Sequence, residues 1–146
     1  MRLEAIEPDL AGKIRTCDSG RQRKVVLLAC QFAMNAAPVN NAVVTRALSA
    51  LEHDQRFTGE QIAELNRLLQ ELDERYFDLQ DQADDDAEKQ IEALHCFGQA
   101  RAVSALLFSQ DPDPVVASME AVYEASTTTD NSVDLFDAAI QQLSGQ

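Results

Sequence analysis

Apolar positions in this chain recur at steps of three and four residues almost throughout, and no stretch alternates with period two over a useful length. The pattern predicts helices and no sheet. Pro8 fits the first turn of a short helix running to about Thr16, and "CDSG" supplies a turn in which Asp18 or Ser19 caps the next element. A second helix, Arg21 to about Ala37, reads VVLLACQFAMNAA after a basic first turn; being apolar nearly all round, it is expected to be the central buried helix. Pro38 in "PVNN" ends it, because proline has no N–H to donate and pushes the residue before it out of helical angles. A third helix follows from Asn41 to His53, with Val44, Leu48 and Leu51 on one face.

"FTGEQ" is a capping box in which Thr58 and Gln61 satisfy each other's backbone N–H groups, so a long helix near residues 59–82 is expected to begin there. Its residues Ile62, Leu65, Leu69, Leu72, Tyr76 and Leu79 hold one narrow stripe against a neighbouring helix. Asp84, Asp85 and Asp86 suit the positive end of the helix after it, which extends to about Ser109 with Ile91, Leu94, Gly98, Ala102 and Ala105 on one face. "DPDP" breaks that helix and starts another bearing Val115, Val116, Met119, Val122 and Tyr123. After the polar "STTTDNS", a last helix carries Val133, Phe136, Ile140 and Leu143 behind a cap at Asn131 or Ser132. Residues 31–52 can be laid on 103–124 with an offset of 72, matching Val43-Val44 with Val115-Val116, as a duplicated helical hairpin would.

These elements predict an all-α fold: one domain over residues 1–146, a bundle of six to seven helices. The length suits a single core, and the scarcity of aromatics (5%) and glycine agrees with helices. No apolar run approaches the ~20 residues that span a bilayer, and acids at Glu4, Glu7 and Asp9 occupy the region a signal peptide would make basic and apolar, so a cytoplasmic protein is expected. Cys17, Cys30 and Cys96 match no zinc or redox spacing and are expected to be buried thiols.

The net charge of −13 is segregated. Residues 1–56 hold eight bases against six acids, whereas residues 57–146 hold four bases against nineteen acids. Such a field repels phosphate backbones and anionic lipid, which argues against direct nucleic-acid or membrane binding outside the basic cluster Lys13, Arg15, Arg21, Arg23 and Lys24. A protein partner with a basic surface fits the acidic half.

Candidate chemistry is sparse. Glu92 and His95 have the E-x-x-H spacing of a di-iron ligand pair, but a second such pair is missing. Residues 81–92 place Asp81, Asp85 and Glu92 at calcium-loop positions while Ala83 and Asp86 occupy places that need a ligand and a glycine. With no glycine-rich phosphate loop or nucleophile signature either, we expect no metal, no cofactor and no catalytic residue. One alternative is a small-ligand or enzymatic helical protein with a pocket near Glu92 and His95. Another is a homo-oligomeric scaffold built through the Ile62 to Leu79 stripe.

The stretch "ELDERYFDLQDQADDD", residues 71–86, sets eight carboxylates around Tyr76 and Phe77 with only Arg75 against them. Either this is a solvated helix face with Phe77 tucked beneath another helix, or it is a binding face with an aromatic anchor ringed by charge. The candidate partner-binding residues are Glu71, Asp73, Glu74, Phe77, Asp78, Asp81, Asp84, Asp85 and Asp86.

"GRQRKVVLLACQFAMNAAPV" with "ALSALE", and "FGQARAVSALLFSQDPDPVVASMEAVYEAS", together about half the chain, resemble the all-helical immunity proteins of bacterial polymorphic toxin systems. The shared features are a basic helix start, a small-residue-rich helix with an internal Cys, and a later Ala-rich helix pair. Leu27-Leu28 stand where that pattern has a tryptophan. The resemblance implies a cytoplasmic inhibitor that neutralises one cognate toxin by direct binding and has no catalysis of its own.

Overall fold

A computed structural model describes residues 1–144. Among them are eight helices and no strand: α1 (Arg2–Ile6), α2 (Pro8–Thr16), α3 (Ser19–Ala36), α4 (Ala42–Glu52), α5 (Gly59–Gln82), α6 (Ala87–Phe108), α7 (Pro114–Ser126) and α8 (Val133–Ser144). The all-α expectation holds, with one helix more than expected. The addition is α1, whose single buried residue, Leu3, leaves no periodicity to read. Glu7 separates it from α2 at φ −141°, as the residue before a proline must be kept from helical angles. None of the described helices is long and apolar enough to cross a membrane.

Side-chain caps place most of the boundaries where the sequence puts them. Asp18 accepts the Arg21 N–H (2.8 Å), which holds its carboxyl below the usual range. Asn41 accepts the Val43 N–H and Asp113 the Val115 N–H, both at 2.9 Å. The box before α5 is closed in both directions: Gln61 N–H donates to Thr58 Oγ1 (3.0 Å) and Thr58 N–H to Gln61 Oε1 (2.9 Å). Of the three aspartates before α6, Asp86 is the cap, accepting from Glu88 and Lys89. Asn131 accepts the Val133 N–H ahead of α8.

The offset of 72 residues carries the end of α3 onto the end of α6, the start of α4 onto the start of α7, and the cap Asn41 onto the cap Asp113. Two helix–break–helix units therefore share the position of the break.

Helix α3 is central, packed by α4, α6, α7 and α8, while α1 and α2 lie over α7. Val25, Ala29, Cys30 and Ala33 are fully buried with Met119, Val122, Val103, Leu106, Leu10 and Ile14. Burial pushes the Cys30 thiol up to about 12. Cys96 is also buried, but Cys17 is only half-buried, its Sγ–H near the Ile14 carbonyl, because it sits in the turn between α2 and α3. In α8 the inward face runs through Leu135, Ala139 and Leu143. Val133, expected on that face, is exposed at the first turn.

An ionic network centred on the buried Glu124 joins four helices. Glu124 on α7, its side chain 2% exposed, lies 2.9 Å from the Arg2 guanidinium and 3.3 Å from that of Arg101. Arg2 also engages Glu120 and stacks 4.2 Å from the Tyr123 ring centre; Arg101 also reaches Asp73 on α5 at 3.3 Å. Burial works against the Arg2 charge, but the hydrogen bonds and negative charges of Glu120 and Glu124 outweigh it and raise its pKa. Removing Glu124 would leave Arg2 on Glu120 and Arg101 on Asp73, each with one carboxylate fewer.

Glu124→Ala is expected to lower the unfolding free energy by about 2 kcal/mol, read from urea denaturation. Cys30, with almost no thiolate at neutral pH, is expected to resist iodoacetamide in the folded protein and to be alkylated after unfolding in urea, as mass spectrometry would show.

Candidate functional site

Helices α5 and α6 form an antiparallel hairpin joined by residues 83–86. The stripe read from the sequence is its seam: Leu65 and Leu79 are buried, and Ile62, Leu69, Leu72 and Tyr76 are partly buried. That stripe is covered by the chain's own helices, Leu72 packing on the main core. Towards the tip the seam becomes a small separate cluster of Leu79, Ala93 and Cys96 with Tyr76 against it. The tip is thus a two-helix layer with its own core.

The reason lies at Gly98. A Cβ there would stand 3.3 Å from the Ala37 Cβ and 3.5 Å from the Thr128 carbonyl oxygen, so the residues just past the ends of α3 and α7 press directly on α6 at this level. The Gln99 side chain, donating to the Pro38 carbonyl (2.9 Å), pins the same level. Small residues do allow the close approach expected of them, and Gly98, Ala102 and Ala105 are buried. Ile91 and Leu94 do not follow. They are 67% and 69% exposed, because α3 and α7 have ended and the first turns of α6 stand roughly 6 to 10 Å beyond them at 1.5 Å per residue.

Phe77 is 59% exposed, so it is not tucked beneath another helix. Its ring lies 5.3 Å from that of Tyr76, which lies 5.4 Å from that of Phe97, an aromatic row crossing the hairpin. The Asp73–Arg101 pair fixes the sides. Phe77 is one turn beyond Asp73, and Phe97 and Leu94 lie one and two turns before Arg101, so all three belong to the flank that pair marks. The other flank is closed by Arg75 and Glu92 at 3.8 Å.

The candidate carboxylates sort as follows. Glu71, Glu74, Asp78 and Asp81 are exposed on α5, and Asp84 and Asp85 are exposed in the connection. Asp73 is half-buried on Arg101, and Asp86 is exposed but occupied as a cap. Among the described residues, Asp73 is the one of the nine candidates in an ion pair with a base; Arg75 turns to Glu92 instead. The early bases are engaged elsewhere: Arg15 with Glu4, Arg21 loosely with Asp18, Arg23 loosely with Asp54, Arg46 loosely with Glu64. The acidic field at the tip is therefore not neutralised by the basic N-terminal part. Tyr76, Ile91, Leu94 and Phe97 join the site by position; in the sequence Ile91 and Leu94 belong to the α6 stripe and Tyr76 to the α5 stripe, and no periodicity singles out Phe97.

Glu92 and His95 are exposed on α6, with Glu92 held by Arg75. Among the described residues no group of three His, Cys, Asp or Glu side chains is placed to hold a metal ion, and residues 87–92 of the calcium-like stretch are helix rather than loop. A cleft of about 600 Å³ lies between α3, the α4–α5 connection and the α6–α7 connection. It sets Arg23, Lys24 and Arg56 against Glu52, Asp54 and Asp111, a balance that favours neither sign of ligand, and Arg56 already donates to the Gln110 carbonyl.

Phe77→Ser and Leu94→Ser are each expected to change the unfolding free energy by less than about 0.5 kcal/mol, whereas Leu79→Ser in the tip cluster is expected to cost about 2 kcal/mol or more; chemical denaturation measures all three. Compared with protein-family models, curated proteins and solved structures, the chain matches none.

Proposed function

We propose that this chain is a protein-binding inhibitor of the immunity type, which neutralises a cognate bacterial toxin by covering a basic surface with the acidic tip of its α5–α6 hairpin. The observation that carries the reading is the exposed Phe77 standing among Glu74, Asp78 and Asp81, whose charges have no basic partner among the described residues. Like charges held close together disfavour the folded state, and an opposite charge brought by a partner relieves the repulsion. The carboxylates Glu71, Asp73, Glu74, Asp78, Asp81, Asp84, Asp85 and Asp86 would steer the encounter and exclude anionic competitors, and the aromatic would supply contact area. A toxin that acts on nucleic acid or nucleotides would present a suitable cationic surface. The inhibitor contributes no catalytic group and needs no cofactor, since occlusion alone stops the toxin.

Co-expression with the product of the adjacent gene is expected to yield a stable complex. In that complex, Glu74→Lys with Asp78→Lys is expected to slow association about tenfold at low salt and to flatten its salt dependence. Stopped-flow association rates over a salt series provide the check, and an unchanged rate and slope would remove the binding face from this location.

A further inference from the structure

We propose that the aromatic flank of the hairpin tip is a docking groove for one amphipathic, cationic α-helix supplied by the partner; this rests on the reading of the tip as a protein-binding face. The groove is built from Tyr76, Phe77 and Phe97 in a row, with Leu94 one turn from Phe97 and Ile91 one turn further out. Nearer the body, the same face of α6 is covered by the ends of α3 and α7 at Gly98. Beyond them it continues as a helix face with no neighbour among the described residues.

Secondary structure selects a helix as occupant. Both walls are helices whose backbone groups are already bonded internally, so an extended peptide would find no sheet edge to join. A helix brings its own bonds satisfied and needs only apolar side chains at successive turns. Charge selects its sign. Residues 71–95 hold ten acids against two bases, and Glu74, Asp78 and Asp81 stand exposed around Phe77 on α5. A second copy of this chain would bring the same negative tip, and nucleic acid or anionic lipid would meet the same repulsion. An apolar stripe bordered by Lys and Arg meets both demands at once.

Two synthetic peptides of identical Leu and Lys composition separate helix docking from plain charge attraction. One spaces Leu at i, i+3, i+4 and i+7; the other is scrambled. Titrated into the isotopically labelled full chain, the amphipathic peptide is expected to bind about tenfold more tightly than its isomer, to gain helix by circular dichroism, and to shift amides confined to residues 73–98. Leu94→Ser and Phe77→Ser are each expected to weaken it about tenfold while leaving the melting temperature unchanged. Equal binding of the two peptides, or indifference to Leu94→Ser, would overturn the groove. If Glu74→Lys with Asp78→Lys still slowed the partner's association in that case, the acidic face would stand without it; if neither peptide bound and the charge reversal had no effect on the partner, both readings would fall together.

Discussion

Helix α6, of 22 residues, is laid against α3 and α7, of 18 and 13, and its first turns overhang them together with the end of α5 that packs along α6. Most of what distinguishes this molecule follows from that mismatch. Inside the body, the face of α6 opposite α5 is a sequence of small residues pressed by other helices. Outside it, the continuation of the same face is Ile91 and Leu94 in water. The overhang is held in place on three sides: by the Leu79, Ala93 and Cys96 cluster in its seam, by the Tyr76–Phe97 ring contact on one flank, and by Arg75 with Glu92 on the other. Its root is tied to the core through Asp73, Arg101 and Glu124. Rigid elements present an interaction surface at lower entropic cost than a loop would.

The carboxylates divide by what they touch. Glu120 and Glu124 are buried and consumed by Arg2 and Arg101; Asp18, Asp86 and Asp113 are consumed by helix N-termini; Glu4 and Glu92 are paired locally. Of the remainder, Glu71, Glu74, Asp78, Asp81, Asp84 and Asp85 gather on the outer face of α5 and around its turn into α6, where desolvation is small and their mutual repulsion is moderated by water. The strong negative balance of the latter part of the chain thus has two physical origins: a minority of acids that cement helices, and a larger group facing outward.

Much of the fold was legible in the sequence because its signals are local. Thr58 with Gln61, Asp18, Asn41, Asp113, Pro38 and Pro114 act within one turn of themselves, so the boundaries they set hold in any tertiary context. The α5 stripe was readable for the same reason. Illegible were α1, with one buried residue, and the inward face of α8, where Val133 stands exposed at the first turn. The candidate site was half legible. Its charges and Phe77 could be named from the α5 sequence, while Leu94 and Ile91 read as core and Phe97 fell outside the stripe, since a hydrophobic period says which residues share a face but not whether anything lies against it.

By itself, the sequence determined the all-helical class, the order and caps of the principal helices, and the accumulation of negative charge in the latter part of the chain. Tertiary structure alone decided that α3 and α7 stop at the level of Gly98, that Arg101 and Arg2 converge on Glu124 while Arg101 reaches only Asp73 among the acids of the candidate face, and that the start of α6 therefore stands exposed beside acids with no basic partner among the described residues. Capping and periodicity are properties of a few consecutive residues, whereas burial and charge pairing depend on where helices distant in sequence end relative to one another.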